Sequence, residues 1–371
     1  MKILITGAKG FIGKNLISEL KNRGYTDILE YDVDTGTSLL DEYCKKADFV
    51  FHLAGVNRPE NQSEFMEGNF GFTSILLAGL RRFNNKCPVM ISSSKQAKLS
   101  NPYGESKKAG ERLLMDHSSK TGAKALIYRF QNVFGKWCKP NYNSAVATFC
   151  YNIARGLPIA VNDPNVMLSL IYIDDLVEEM VCALEGRENR VGFLCEVEPV
   201  YTVSWGEIVE LIYSFKESRN DRFIPDMSIG FVKGLYSTYL SYLPEDEFSY
   251  GLKMNVDERG SFTEFIKTVD RGQVSINVSK PGVTKGNHWH HTKNEKFLVV
   301  SGEGVIRFRK ISSDDVIEYF VSGEKLEVVD VPVGYTHNIE NLGTVDMVTV
   351  MWANEAFDPE KPDTYFLEVG S

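Results

Sequence analysis

The stretch ILITGAKGFIGKNLISEL (residues 3–20) reads as a strand, a glycine-rich turn and a helix without interruption. KILIT (2–6) is rich in β-branched and apolar residues, which favour extended chain. FIGKNLISELKNRG (11–24) spaces its apolar residues for a helix and stops at Gly24, a usual left-handed C-cap residue. Between them, Gly7, Gly10 and Gly13 let the backbone approach a pyrophosphate, which would rest on the free N–H groups and positive dipole of the helix N-terminus. Asp32 closes the next strand, 19 positions past Gly13, where a carboxylate suits the hydroxyls of an adenosine ribose. The expected cofactor contacts here are Gly7, Lys9, Gly10, Phe11, Ile12, Gly13 and Asp32.

Further strands are expected at DILEYD (27–32), DFVFHLAG (48–55), PVMISSS (88–94) and AKALIYRF (123–130), with a helix around GESKKAGERLLMDHSSK. Strand and helix in alternation predict an α/β Rossmann-type, doubly wound parallel sheet with helices on both faces. After about residue 245 the texture changes. Val-rich runs such as QVSINV, FLVVSGEGVIRF and MVTVMWA recur between Gly, Pro, Asn and Asp, which predicts an all-β barrel or sandwich. The expected domains are 1–245 and 246–371.

Composition narrows the partners. A net charge of −9 argues against nucleic acid as the main ligand, though not against an anionic small molecule. No apolar run approaches the roughly 20 residues of a spanning helix, and the chain opens straight into a strand without a signal-peptide pattern. The six cysteines show no paired spacing and read as free thiols of a cytoplasmic protein.

Tyr103 and Lys107, four apart in NPYGESKKAGE, share one helix face. A phenol, with a pKa of about 10, is a poor proton donor near neutrality until a neighbouring ammonium lowers that value. A serine hydroxyl would hold the substrate carbonyl, and Ser92, Ser93 and Ser94 end the preceding strand. Together with TGAKGFIG, HLAG (52–55), Asn69 and RFQNVFG (129–135), these residues resemble the extended short-chain dehydrogenase/reductases that act on nucleotide sugars. The resemblance implies Tyr103 as proton donor, Lys107 on the nicotinamide ribose, and Ser93 or Ser94 on the carbonyl. It also implies Leu53, Ala54 and Gly55 along the cofactor, and Asn132 on the diphosphate of a UDP-sugar. Tyr103 follows Ser94 by only nine positions, a shorter interval than is usual in that family, and both serines stay open. LSLIYIDDL (168–176) also lacks the arginine usual just before such a segment. Asp32 favours NADH and Lys9 favours NADPH; biosynthetic use points to NADPH, with NADH as the alternative.

The second half carries KGNHWHHTKNE (285–295), which holds three of the six histidines. Strand alternation turns His288 and His290 to one face and His291 to the other. A short turn would return Glu295 beside them, and His337 in PVGYTHNIEN would complete a divalent-metal set. The spacing Gly282-x5-His288-x-His290-x4-Glu295-x6-Gly302, with Pro332-x-Gly334-x2-His337-x3-Asn341, resembles the two cupin motifs, so the all-β half is expected to be a cupin barrel. Zinc is placed first among Zn, Mn, Fe and Ni. DERGSFTEF (257–265) resembles the start of nucleotide-sugar 3,5-epimerase cupins, with His337 or Tyr335 available to assist protonation. Epimerisation needs a keto group and reduction removes it, so the expected order is epimerisation at C3, then reduction at C4. The implied substrate is a UDP-2-acetamido-2,6-dideoxy-4-hexulose and the implied product its L-talo alcohol, a capsule precursor. The competing expectation is a 4-keto reductase carrying a non-catalytic, metal-binding or dimerising cupin. A homodimer is expected in either case.

Overall fold

The computed structural model describes residues 1–370. Two compact units are present: Met1–Tyr213 with Gly230–Pro244, and Ser214–Ile229 with Glu245–Ser371. Residues 214–229 group with the second unit through backbone bonds. Ile224 N donates to the Lys267 carbonyl and Lys267 N to that of Arg222, while the Glu264 carboxylate takes both Arg222 (2.8 Å) and Lys267 (3.0 Å).

In the first unit, β1 (Ile3–Thr6), β2 (Ile28–Tyr31), β3 (Phe49–His52), β4 (Val89–Ser94) and β5 (Ala125–Phe130) lie in the order β2-β1-β3-β4-β5, all parallel. Leu194–Cys195 and Arg190–Val191 extend the edge beyond β5. Strand residues are buried alternately on two cores: Ile3, Ile5, Phe51 and Met90 on one face, Leu4, Val50, Val89 and Ile91 on the other. A sheet buried on both faces needs continuous apolar strands, which is why these runs do not alternate with polar residues. The expected doubly wound sheet is therefore present, with each expected strand and helix within a few residues of its place. All six cysteines are free.

From Met254 onward the second unit is all-β and antiparallel. A six-stranded sheet runs in space through Met254–Asp257, Gly260–Thr268, Gly272–Ser279, Met347–Ala353, Glu295–Ser301 and Val328–Val331. A five-stranded sheet runs through Val316–Ser322, Glu303–Lys310, Tyr335–Asn341, Thr284–Trp289 and Tyr365–Phe366. Phe297, Val299, Ile306, Phe308, Ile339 and Met347 form its apolar core. Gly272–Ser279 differs: its buried side chains are those of Gln273, Ser275, Asn277 and Ser279, all polar. Cross-strand pairing of Asn277 with Thr349, and of Thr349 with Val299, puts that polar row on the same interior face as Glu295 and Phe297.

Candidate active sites

The glycine turn closes as its composition requires. A Cβ on Gly13 would lie 2.3 Å from the Gly7 carbonyl oxygen, so only glycine lets the helix Phe11–Asn22 start against β1. That helix has no side-chain cap and no acid in its first turn, which leaves its N-terminal donors and dipole available to a pyrophosphate. Asp32 joins the loop, accepting from Lys9 N (2.7 Å) and Val33 N (2.8 Å). The Lys9 ammonium is paired with Asp34, which also raises its pKa. Leu53 and Ala54 are tied to Thr6 by backbone donors at 3.1 and 3.3 Å. An added Cβ on Gly55 would stand 2.6 Å from Asn69 Oδ1 and 2.8 Å from Lys107 Nζ. The cradle fits a dinucleotide, and it brings together the loop, Asp32, residues 53–55 and Lys107.

Tyr103 and Lys107 lie on the helix Pro102–Thr121, capped by the Asn101 side chain on Gly104 N (2.8 Å). A Cβ on Gly104 would sit 2.1 Å from the Gln96 carbonyl oxygen, so this glycine sets how closely the helix meets the end of β4. Lys107 is half-buried; its Nζ donates to the Ser92 carbonyl at 3.2 Å and lies 5.8 Å from the Tyr103 ring centre. Burial pushes the lysine down to about 8. Tyr103 departs from the expectation. Burial raises its pKa, and the group that opposes the rise is the Ser94 hydroxyl, not Lys107.

The two serines have different partners. Ser93 Oγ donates to Glu111 at 2.5 Å, and Glu111 is held by both ends of the Arg129 guanidinium (2.8 and 2.6 Å). Ser94 faces Tyr103. Glu111 carries no signal in the sequence, because its role depends on β5 lying beside β4. Asn69, in the π-helical turn Met66–Gly71, donates to Ser106 Oγ (2.9 Å) and the Val56 carbonyl (3.0 Å). His52 is fully enclosed between Thr6 Oγ1 (2.7 Å) and Thr73 Oγ1 (2.8 Å), and burial pushes it down to about 3.

Asn132 starts a short strand and is exposed. It does not line a cavity of about 730 Å³ in this unit, whose wall includes Arg58, Tyr142, Ser144, Phe149 and Trp205. Arg58 lies 5.8 Å from the centre of the Tyr142 ring.

In the second unit His288, His290, Glu295 and His337 converge, with one ligand atom from each and all within 4.8 Å of one another. His291 is exposed and outside the group, as strand alternation requires. Glu295 Oε2 is 3.5 Å from His290 Nε2 and 3.3 Å from His337 Nε2. His290 Nε2, Glu295 Oε2 and both ring nitrogens of His337 are buried without a hydrogen bond. Each such atom costs about 1–3 kcal/mol if nothing binds it, and this donor set fits a divalent cation. Burial would raise the Glu295 carboxyl, and the Lys293 ammonium, 3.3 Å from Oε1, opposes that rise. His290 Nδ1 meets the Asp363 carbonyl, which requires that nitrogen to carry the proton and leaves Nε2 as a lone-pair donor. The Asp363 carboxylate, missed in the sequence, also gathers the N–H groups of His291, Thr292 and Lys293 at 2.9, 2.7 and 2.9 Å. Beside the cluster opens a cavity of about 580 Å³, lined among others by Arg259, Asn277, Lys285, His288, Glu295 and His337.

Residues 3–192 match the NAD dependent epimerase/dehydratase family, and residues 255–365 match the polysaccharide biosynthesis C-terminal domain. The chain belongs to the NAD dependent epimerase/dehydratase family. Along 100% of its length it is 45% identical to the UDP-2-acetamido-2,6-beta-L-arabino-hexul-4-ose reductase of Pseudomonas aeruginosa, covering 99% of that protein. The crystal structure of the capsular polysaccharide assembling protein CapF from Staphylococcus aureus superposes with a TM-score of 0.94 at 60% identity, covering 99% of this chain and 100% of that one. A UDP-glucuronic acid 4-epimerase from Bacillus cereus, solved with NAD, shares the fold of the first unit (TM-score 0.51, 20% identity, 58% of this chain and 84% of that one). Among the described residues no helix is long and apolar enough to cross a membrane.

Proposed function

We propose that this family member is a bifunctional nucleotide-sugar enzyme of capsule synthesis. The second unit inverts C3 of a UDP-2-acetamido-2,6-dideoxy-4-hexulose; the first reduces C4 to the L-talo product. The observation that carries the epimerase half is the second unit's interior. A four-donor cluster opens onto a cavity beside a strand whose buried row is all polar, Gln273, Ser275, Asn277 and Ser279. A purely structural barrel gains nothing from a polar interior, whereas a sugar needs hydroxyl and amide partners.

For the reduction, a bound nicotinamide cofactor, NADPH first and NADH as the alternative, supplies the hydride. Tyr103 protonates the C4 oxygen, Ser94 rather than Ser93 holds that oxygen, and Lys107 supplies a positive charge behind them. Ser93 is already committed to Glu111 and the Arg129 pair. Lys9, at the glycine turn, is the residue assigned to a 2′-phosphate, and would exchange Asp34 for it. The cavity of Arg58, Tyr142 and Trp205 suits the nucleotide of a UDP-sugar, in the absence of the usual arginine near 168.

For the epimerisation, His288, His290, Glu295 and His337 hold one divalent ion, zinc first, which when bound supplies Lewis-acid charge. The working form is a cytoplasmic homodimer. The test is incubation of the full chain with the keto sugar in D₂O without nicotinamide. Deuterium at C3 is expected. Absence of exchange by metal-loaded protein that still reduces would leave a reductase with a non-catalytic second unit.

A further inference from the structure

Lys285 opens the same KGNHWHH run that supplies two of the clustered histidines, yet simple alternation would turn it away from His288. The structure inserts a β-bulge between them. Lys285 pairs with Ile339 and Gly286 with Asn338, then Asn287 is skipped and His288 pairs with His337. Asn287 stands at φ +61°, its Oδ1 accepting from Asn338 Nδ2 (2.9 Å) and Val369 N (3.3 Å), and its carbonyl from Leu367 N (2.9 Å). The extra residue resets the alternation. Lys285 therefore faces inward with Ile339, two ladder positions from His288, a span of about 7 Å at the usual strand rise.

The ammonium lines the cavity shared with His288, Glu295 and His337. Two of its three N–H groups are taken by neutral acceptors, Asn277 Oδ1 (2.9 Å) and the Val278 carbonyl (2.8 Å). The acid that favours its charge, Asp257, is itself bonded to Arg259 (2.7 Å). Burial holds this lysine below its ordinary value. A half-buried cation whose acceptors are neutral is suited to an anion that forms inside the cavity.

Resting on the epimerase reading of this site, we propose that Lys285 is a catalytic residue of the C3 inversion, donating its third N–H to the C4 oxygen as that oxygen becomes an enolate. In the step the C3 proton passes to a basic atom of the cavity. The C–H electron pair becomes the C3=C4 bond, and the C4=O π pair moves onto oxygen. Return of a proton to the opposite face of C3 restores the ketone, so no oxidant or reductant is consumed. The other anion of a nucleotide sugar is its diphosphate. Arg259, side chain 59% exposed and on the same cavity, is placed for that group, whereas Lys285 lies further in.

The experiment measures C3 hydrogen–deuterium exchange of UDP-2-acetamido-2,6-dideoxy-4-hexulose by full-length Lys285→Met, Lys285→Gln and Lys285→Arg, with metal content determined on each sample. Expected is a fall of about 10²–10³ in kcat for exchange in the Met and Gln variants at near-unchanged KM, the size found on removing an oxyanion donor, with partial recovery in Lys285→Arg. An unchanged kcat with raised KM would make Lys285 a diphosphate anchor and overturn the proposal while leaving the epimerase reading intact. Loss of the ion in both the Met and Gln variants would assign the lysine to structure and overturn it equally. No exchange by the wild type would remove the epimerase reading and this inference together.

Discussion

His52 and His337 are both buried histidines on β-strands, and they differ in what surrounds the ring. Each nitrogen of His52 meets a threonine hydroxyl, from Thr6 and Thr73, so the imidazole stitches β1 and β3 to the helix Phe72–Arg82. Neither nitrogen of His337 has a hydrogen bond, although Glu295 Oε2 is 3.3 Å away and two more histidine rings face it. Burial alone does not separate them. The distinction is satisfaction: a histidine with both nitrogens bonded to the protein is part of the frame, and one with both unbonded beside a carboxylate is arranged for something else. The same contrast holds between the two sites. Around Tyr103 and Lys107, buried Ser93 is paired with Glu111 and buried Asn69 with Ser106 and the Val56 backbone; in the second unit, the buried atoms of the cluster point at a common centre.

The sharpest way to break this comparison is to disable one site and read the other. Tyr103→Phe should lower reduction by about 10²–10⁴, the range for loss of a positioned proton donor, with C3 exchange in D₂O retained. Exchange lost along with reduction would mean that the sites are not independent. Next, Glu295→Gln should lose bound metal by at least the roughly 10–100-fold that removal of an outer partner costs, as read by elemental analysis and competition with a chelator. NADPH binding, by titration calorimetry, should be unaffected. Asp363→Ala sharpens the point, since Asp363 is not one of the four clustered residues. Freed from the turn that its carboxylate gathers, His290 should bind more loosely, and metal affinity should fall toward the lower end of that 10–100-fold range. Wild-type affinity in this variant would show that Asp363 serves only the turn.

What could be read from the sequence follows from how local each arrangement is. The glycine turn, Asp32, and Tyr103 with Lys107 lie within single strand–turn–helix units, where spacing alone decides what meets what. The inward pair His288 and His290, the outward His291 and the return of Glu295 were legible for the same reason, since two-residue alternation holds from 288 onward. Lys285 was not, because the bulge at Asn287 breaks that alternation and nothing in KGNH marks it. Ser93 and Ser94 could not be separated either. Adjacent strand residues face opposite ways, and which one meets Tyr103 depends on Glu111 and Arg129 claiming the other. Burial moves the Tyr103 phenol upward and the Lys107 ammonium downward, an effect that their spacing in the sequence does not show.

The smallest expected effect is on stability, and it tests the His52 side of the comparison. With its pKa pushed down to about 3 from an ordinary 6.5, folded His52 stays neutral where an unfolded histidine would take a proton. Between those values the unfolded state binds more protons, so the stability that His52 contributes is complete above about pH 6.5 and declines as pH falls toward 3. The slope from this one group is at most about 1.4 kcal/mol per pH unit. His52→Gln keeps a donor and an acceptor but cannot titrate. It should cost about 1–3 kcal/mol near neutrality through imperfect pairing with Thr6 and Thr73, and urea unfolding across that pH window should show a shallower decline than in the wild type. Metal content should not change. An equally steep decline in the variant would mean that other groups, carboxylates foremost, carry the acid sensitivity of this unit.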